Sequence, residues 1–285
     1  MCSSDLLYPH SFEYLRSLVL QRSAIVLGLD KLYLAEARLG AVARQHAFAD
    51  SEAVIEAIRS GVDRDLTRLV VEAMTTNETS FFRDKHPFTA LRNVLLPDLI
   101  RARASERRLR IWSAACSSGQ EAYSVAMLIR DHFPTLTSWD LRLLATDLSE
   151  EMVDRARAGR FTPMEVSRGL SPDQIARHFT RNGTCWTVNE NIRRMVDFRP
   201  ANLIDPSPTL GTFDLILLRN VLIYFDPTMK KTILGRMSRN LRPDGYLMLG
   251  TAETTLNLDE SFESVHNGGA TYFRASQRNL VATRG

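Results

Sequence analysis

Cysteines and long apolar runs are scarce in this sequence of 285 residues. The three cysteines, Cys2, Cys116 and Cys185, are an odd number at wide spacings, which favours reduced thiols over a disulfide framework or a paired-cysteine zinc site. Apolar stretches such as 215–218 and 221–225 are a few residues long, whereas a bilayer span needs about 20. The start of the chain lacks the basic and apolar regions of a secretory signal. We therefore expect a cytoplasmic protein with no membrane span and no metal centre.

A large excess of charge is also missing. Lys and Arg total 36 and Asp and Glu 33, a net charge of +3 that gives little support to a nucleic-acid partner. Residues 1–75 carry 8 basic and 10 acidic side chains, and residues 76–110 carry 8 and 4. The simplest interpretation of the arginines before the first predicted strand is a solvated helix end and loop, with a phosphate or acidic-partner patch as the alternative. They are Arg101, Arg103, Arg107, Arg108 and Arg110.

Residues 1–75 predict a small domain of about four helices, because apolar positions recur at helical spacing behind capping residues. Ser11, Asp30 and Ser51 are the expected caps of the first three helices. The fourth helix carries Leu66, Leu69, Val70 and Ala73 on one face.

From residue 109 the pattern changes to short apolar runs that alternate with amphipathic helices. This is typical of an α/β fold, in which helices cover both faces of a parallel sheet. The expected strands are 110–114, 141–146, 195–198, 213–218 and 246–250. The expected helices are 121–130, 150–158 and 228–241, the last one ended by a turn at 242–245, and a run at 271–275 is expected as an antiparallel edge.

Residues 160–194 interrupt this alternation and predict a small inserted subdomain. Ser171, Pro172 and Gln174 form a capping-box pattern that starts a helix. Asn182-Gly183 is the favoured dipeptide of a tight β-hairpin. Spacing alone leaves open whether this insert is a decorated crossover or a docking surface.

Ligands of an open parallel sheet bind beyond the carboxyl ends of its strands. Residues 113–119 follow a predicted strand there and are small, so the backbone can approach a ligand and the next helix offers free amides. The segment lacks G-x-G-x-x-G and a lysine before Ser or Thr, which weakens the dinucleotide and phosphate-loop interpretations. A tight strand-to-helix connection is the alternative.

Two further polar features are expected at the same edge. Asp147 ends the second strand, where a carboxylate can accept hydrogen bonds from a ribose, or can cap the helix that follows. Arg219 and Asn220 end the fourth strand and need partners, because burying each one unpaired costs roughly 1–3 kcal/mol. Either a ligand or neighbouring loops can supply them. Together the features favour a nucleoside cofactor without a pyrophosphate, a description that S-adenosylmethionine fits.

Five segments occur in a fixed order along the chain: TTNETSFFRD at 75–84, WSAACSSGQEAYS at 112–124, ATD at 145–147, FRPANL at 198–203 and RNVLIYF at 219–225. In these segments the chain resembles the bacterial chemotaxis receptor methyltransferases, the CheR family. The resemblance implies a Rossmann-like class I methyltransferase domain at 109–285, a helical N-terminal domain at 1–75 and a linker at 76–108 that contacts the cofactor. It also implies transfer of a methyl group from S-adenosylmethionine to receptor glutamates, which gives glutamyl methyl esters for sensory adaptation and S-adenosylhomocysteine.

The resemblance implies a role for each matching residue. Arg83 and Tyr224 face the methyl group and the incoming glutamate, and Arg83 also contacts the cofactor. Glu121 holds the amino group of the methionine part, and Asp147 holds the ribose. The other implied cofactor contacts are Asn77, Thr79, Ala115, Gly119, Asn202, Leu203, Arg219 and Asn220, with Asn202 and Leu203 at the adenine.

This chemistry needs no histidine base. A glutamate side chain, with a pKa of about 4.3, is already ionised at pH 7, so it needs positioning rather than deprotonation. An arginine can hold one carboxylate oxygen while the other attacks. The six histidines form no close pair along the chain, and we expect each of them at the surface or in packing.

The implied partner is the cytoplasmic helical bundle of a chemoreceptor. In some relatives the hairpin insert binds a receptor's C-terminal peptide by strand addition. Ala122 departs from the proline usual in the family, and the acidic N-terminal domain departs from a domain that is often basic. Lys31, Arg38 and Arg44 form either a local basic face on the second helix or an ordinary solvated surface.

Two other functions compete with this one. The first is methylation of RNA or a small molecule on the same cofactor fold, which the small net charge does not favour. The second is a non-catalytic module that binds the cofactor or a receptor. The presence of Arg83, Asp147 and Tyr224 favours an active enzyme over that module.

Overall fold

The computed structural model describes residues 7–61, 64–205, 210–267 and 269–276. The chain divides into two compact units. The first comprises Met1–Thr76 together with Tyr224–Asp226, and the second comprises Asn77–Ile223 together with Pro227–Gly285.

The described residues of the first unit form the four predicted helices: α1 Pro9–Ser23, α2 Leu32–Gln45, α3 Ser51–Arg59 and α4 Arg64–Ala73. A short 3-10 helix, Leu29–Lys31, precedes α2. Each of the four helices contributes apolar side chains that are shielded from solvent. Leu15, Leu39, Ile55 and Val70 are all completely buried.

The predicted caps of these helices are wrong. Ser11 lies inside α1, which starts at Pro9 because proline suits the first helical position, and the Ser11 hydroxyl donates to Glu52 instead. Asp30 lies in the 3-10 helix and pairs with Lys31. Asp50, one residue before Ser51, caps α3 by accepting a hydrogen bond of 2.8 Å from the Ala53 amide.

The second unit contains a seven-stranded sheet. Its strands are β1 Arg108–Ala114, β2 Asp140–Asp147, β6 Val196–Pro200, β7 Phe213–Leu218, β8 Leu241–Leu249, β9 Phe262–Asn267 and β10 Ala270–Ala275. They lie in the order β6-β2-β1-β7-β8-β10-β9. The first five strands in that order are parallel, and β10 runs antiparallel to both β8 and β9. The Rossmann-like α/β fold and its five parallel strands are therefore confirmed.

Helices of this unit cover the sheet. The predicted helices are confirmed as α7 Gln120–His132, α8 Glu150–Ala158 and α12 Pro227–Asn240, which pack against strands of the sheet. Residues 76–108, expected as a linker, carry three helical segments that local pattern did not predict. They are α5 His86–Ala90, a π-helical segment Leu91–Leu95 and α6 Leu96–Ala102.

Two details of the predicted sheet are wrong. Strand β8 begins at Leu241, so the expected turn at 242–245 lies inside the strand, next to a register shift between Phe213 and Leu215 of β7. Gly245 suits this crowded stretch, because a Cβ there would lie 2.9 Å from the Asp214 carbonyl oxygen. Strand β10 is not an edge, since the unpredicted β9 pairs with its outer side.

Arg103 is not part of a solvated loop. Its side chain is 4% exposed, and its Nε donates to Asp214 of β7 at 2.6 Å. Its Nη1 donates to Asp244 of β8 at 2.7 Å. Asp214 is fully buried and also accepts from the Arg110 amide at 2.7 Å. An arginine can be buried here because two carboxylates compensate its charge.

The inserted hairpin is confirmed. Strands β4 Phe179–Asn182 and β5 Cys185–Val188 pair antiparallel across the Asn182-Gly183 turn, and β3 Arg160–Phe161 pairs with β5 to complete a three-stranded sheet. Helix α10 Pro172–His178 starts with the expected capping box. A short helix, α9 Pro163–Ser167, precedes it, and α11 Glu190–Arg193 follows the hairpin. Within the described ranges, no helix is long and apolar enough to span a membrane.

Candidate cofactor site

The loop between β1 and α7 is held against the end of β2. Ala115, Ser117 and Gly119 all have left-handed backbone, with φ of 60°, 50° and 92°. The Cys116 amide donates to the Thr146 carbonyl at 2.9 Å, which ties the loop to the neighbouring strand. A side chain at Gly119 would place Cβ 2.9 Å from Ala156 of α8, so glycine lets α7 start close to that helix.

Asp147 joins this loop to the end of β2. The residue is 7% exposed, and its Oδ2 accepts from the Ser117 amide at 2.6 Å while Oδ1 accepts from the Ser149 amide at 3.0 Å. The Ser117 hydroxyl donates to the Asn77 carbonyl at 2.9 Å. The structure thus brings Asn77, the small-residue loop and Asp147 together.

Burial raises the pKa of the Cys116 thiol well above its usual range, and the nearby carboxylates of Asp147 and Glu121 add to the effect. A protonated, buried thiol is a poor nucleophile. Cys116 is therefore a packing residue of the loop.

Arg219 organises a second polar cluster, which comprises Arg219, Glu121, Ser113, Asp84 and the Arg83 carbonyl. The Arg219 side chain is 1% exposed, and its Nη1 donates to Glu121 at 2.9 Å. Its Nη2 donates to Asp84 at 2.9 Å and to the Arg83 carbonyl at 3.0 Å. The other oxygen of Glu121 accepts from the Ser113 hydroxyl at 2.8 Å. Among the described residues, the buried Nε of Arg219 has no hydrogen-bond partner.

The segment that carries Arg83 is tightly constrained. Phe82, Asp84 and Lys85 have left-handed backbone with φ of 47°, 69° and 47°, and the Phe82 amide donates to the Ser124 hydroxyl of α7 at 2.9 Å. The Arg83 guanidinium donates to the Glu78 carbonyl at 3.0 Å. The Arg83 main chain therefore belongs to the Arg219 cluster, whereas the Arg83 side chain forms its hydrogen bond within the 78–83 segment.

Thr79 lies in the same segment as Arg83 and is half-buried. Asn220 follows Arg219 and has left-handed backbone with φ of 58°. Asn202 and Leu203 follow β6 and line a cavity of about 540 Å³ with Trp112 and residues of α12. None of the other predicted site residues lines that cavity in the described part of the chain.

Tyr224 belongs to the helical unit, not to the unit that holds the other predicted site residues. Its carbonyl accepts from the Val26 amide at 2.9 Å. In the same unit, burial lowers the pKa of Arg38, while Tyr224 and Tyr33 act in the opposite direction.

Glu253 was missed by sequence reasoning. It follows β8 by four residues, and its carboxylate accepts hydrogen bonds from four backbone amides, three of them in the 219–222 loop. The available signal was a carboxylate just beyond a predicted strand end, the same pattern that pointed to Asp147.

The residues present fit S-adenosylmethionine. Its amino-acid end carries a carboxylate and an ammonium, and Arg219 Nε is a buried donor beside the partly buried carboxylate of Glu121. Asp147 is a buried carboxylate at the end of β2, the position from which such folds bind a ribose.

Comparison with known proteins shows the family of the chain. Residues 77–270 match the family model described as CheR methyltransferase, SAM binding domain. The chain is 41% identical over 269 residues to chemotaxis protein methyltransferase 1 of Pseudomonas aeruginosa, covering 93% of this chain and 97% of that protein. It is 42% identical over 253 residues to chemotaxis protein methyltransferase 1 of Vibrio cholerae (87% and 90%) and 35% identical over 258 residues to the chemotaxis protein methyltransferase of Escherichia coli (88% and 86%).

The fold and the matched domain define an S-adenosylmethionine-dependent methyltransferase. More narrowly, the chain belongs to the CheR methyltransferase family, as the five segments predict. S-Adenosylmethionine is its cofactor.

Proposed function

We propose that this protein transfers a methyl group from S-adenosylmethionine to glutamate side chains of chemotaxis receptors and thereby forms glutamyl methyl esters for sensory adaptation. The observation that carries the proposal is the similarity to proteins named chemotaxis protein methyltransferase, which extends over 86% to 97% of their lengths. The site residues contain the groups that such a reaction needs.

The cofactor supplies a methyl group bonded to a positively charged sulfur. Asp147 holds the ribose hydroxyls through its carboxylate, which lies buried at the end of β2. Glu121 holds the ammonium of the methionine part, and Arg219 holds its carboxylate through Nε. The remaining wall of the proposed site comprises Asn77, Thr79, Arg83, Ala115, Gly119, Asn202, Leu203 and Asn220.

The receptor glutamate is oriented by Arg83 and Tyr224 in this proposal. Its carboxylate is ionised at pH 7, so no base has to remove a proton. The Arg83 guanidinium exchanges its bond to the Glu78 carbonyl for one to a carboxylate oxygen, which is a stronger charge-assisted acceptor. The Tyr224 hydroxyl fixes the direction from which the second oxygen approaches.

The proposed partner is the cytoplasmic helical bundle of a receptor, and we place the enzyme in the cytoplasm with it. Basic residues Lys31, Arg38 and Arg44 of the helical unit are the candidates to meet an acidic bundle. The hairpin offers a second contact, because β4 is one of the two outer strands in the order β3-β5-β4. An extended receptor C-terminal peptide would add to that edge through main-chain hydrogen bonds.

The decisive experiment incubates the protein with methyl-labelled S-adenosylmethionine and bacterial membranes that contain chemoreceptors. We expect label on receptor protein that mild alkali releases as methanol, because carboxylate methyl esters hydrolyse in base. The Asp147→Ala variant is the negative control. Label that survives alkali indicates nitrogen or nucleic-acid methylation, and absence of label indicates a binding module; either outcome contradicts the proposal.

A further inference from the structure

We infer that Glu253 is a positioning residue that holds the 219–222 loop and, through it, places the Arg219 side chain in the cofactor site. The inference rests on the proposed function of that site. Nothing in the sequence motifs points to Glu253, which lies outside all five of them.

Both carboxylate oxygens of Glu253 accept two main-chain hydrogen bonds each. Oε1 accepts from the amides of Val221 at 2.8 Å and Leu222 at 2.7 Å. Oε2 accepts from the amides of Asn220 at 2.8 Å and Gly250 at 2.6 Å. One side chain thus satisfies three consecutive amides of the loop after β7 and ties them to the end of β8.

The conformation of the loop needs such an acceptor. Asn220 has left-handed backbone, with φ of 58°, so the amides that follow β7 converge instead of continuing the ladder. Converging amides of this kind form an anion-binding concavity. Glu253 supplies the anion from within the chain, so the loop is set before any ligand binds.

Gly250 makes this arrangement possible. A Cβ at position 250 would lie 2.7 Å from Glu253 Oε2 and 2.8 Å from the Asn220 amide nitrogen. Strands β7 and β8 pair with Leu218 opposite Leu249, which brings the two strand ends side by side. Only glycine leaves room for the carboxylate between them.

Arg219 transmits the position of the loop to the cofactor site. It directly precedes Asn220, and its buried guanidinium bonds to Glu121, to Asp84 and to the Arg83 carbonyl. A shift of the main chain at 219–220 therefore moves the Arg219 guanidinium. This group joins Glu121, the proposed ligand of the cofactor ammonium, to the segment that carries Arg83. Displacements of about 1 Å at such groups cost on the order of 100-fold in rate.

The first test is Glu253→Gln, which keeps the shape of the side chain but turns an amide NH₂ toward backbone donors. We expect S-adenosylhomocysteine to bind roughly tenfold or more weakly in calorimetry, because hydrogen bonds to a carboxylate are lost. Methyl transfer falls at least as much. Glu260→Gln, at an exposed position nearby, is the matched control and should bind like the wild type.

The second test is Glu253→Ala with added formate, a free carboxylate small enough for the vacated space. We expect formate, but not chloride at equal ionic strength, to restore affinity in Glu253→Ala and not in Glu253→Gln, whose amide still fills the site. General destabilisation would not respond selectively to formate. Loss of affinity without rescue would therefore overturn the inference, as would wild-type affinity in both variants.

Amide hydrogen exchange tests the hydrogen bonds between Glu253 and the 219–222 loop without any cofactor. We expect the amides of 220–222 to exchange faster in both Glu253 variants than in the wild type and the Glu260 control. Unchanged exchange would contradict the inference. A wild type that fails to bind S-adenosylhomocysteine while showing the exchange difference would instead overturn the proposed function and leave the role of Glu253 in the loop supported.

Discussion

Arg219 and Glu121 lie 98 positions apart in the sequence and are joined by a hydrogen bond of 2.9 Å between buried Nη1 and carboxylate Oε2. The contact connects the end of β7 to the first turn of α7. It orients Glu121, whose second oxygen accepts a hydrogen bond from the Ser113 hydroxyl.

Glu121→Gln should bind S-adenosylhomocysteine roughly tenfold or more weakly, because charge-assisted hydrogen bonds contribute about 1.5–3 kcal/mol. The amide also pairs less well with Arg219. Isothermal calorimetry measures the effect, and Glu151→Gln on the exposed face of α8 is the control. Equal dissociation constants for wild type and Glu121→Gln would refute the role given to Glu121.

Asp147→Ala should abolish measurable cofactor binding, because it removes the carboxylate proposed to hold the ribose and releases the Ser117 amide of the loop. Calorimetry is again the measurement, with circular dichroism to verify folding. Asp154→Ala, at an exposed position on α8, is the matched control. A folded Asp147→Ala protein with normal affinity would remove Asp147 from the site.

Arg83→Ala should separate binding from turnover. Its main-chain carbonyl, which the substitution keeps, is the part bonded to Arg219, so we expect most cofactor affinity to remain. Methyl transfer to receptor fragments should fall by about 100-fold or more, because the substrate carboxylate is no longer oriented. Arg83→Lys should restore little methyl transfer, because an ammonium lacks the planar pair of N–H donors with which a guanidinium holds a carboxylate. Normal kcat in Arg83→Ala would exclude the residue from the mechanism.

The Arg103 cluster predicts unequal losses of stability. Asp214→Ala should lower the free energy of unfolding by about 3–5 kcal/mol, because it leaves a buried guanidinium short of a partner. Asp244 is 55% exposed, and Asp244→Ala should cost about 1 kcal/mol or less. Urea unfolding of the two variants gives the comparison. Similar losses would show that burial does not set the strength of these pairs.

The same cluster predicts a dependence on pH. The hydrogen bond from Arg103 lowers the pKa of Asp244 below its usual value. A carboxylate whose pKa is lower in the folded state stabilises the fold above the unfolded pKa of about 4, and this contribution is lost as pH falls through the folded pKa. The difference in unfolding free energy between wild type and Asp244→Asn should have its largest value at neutral pH and should decrease below a pH of about 4. A difference independent of pH would contradict this.

Local patterns predicted much of the molecule. Alternating apolar runs identified the five parallel strands, and Asn182-Gly183 identified the hairpin, because these signals lie within a few residues of one another. Asp147 could be singled out because a strand end and a carboxylate coincide in the sequence.

Other features depend on partners far along the chain. The burial of Arg103 follows from Asp214, 111 positions away, and no local pattern distinguishes it from the exposed Arg101. The start of β8 at Leu241 depends on pairing with β7, which overrides the local turn signal at 242–245. The role of Glu253 depends on amides 31 to 33 positions away in the 219–222 loop.

The most direct measurement is a crystal structure of the protein with S-adenosylhomocysteine. It should show the ribose hydroxyls on the Asp147 carboxylate, with the amino-acid end of the ligand between Glu121 and Arg219. Nucleoside density elsewhere, or a ligand that makes no contact with the Asp147 carboxylate, would contradict the account.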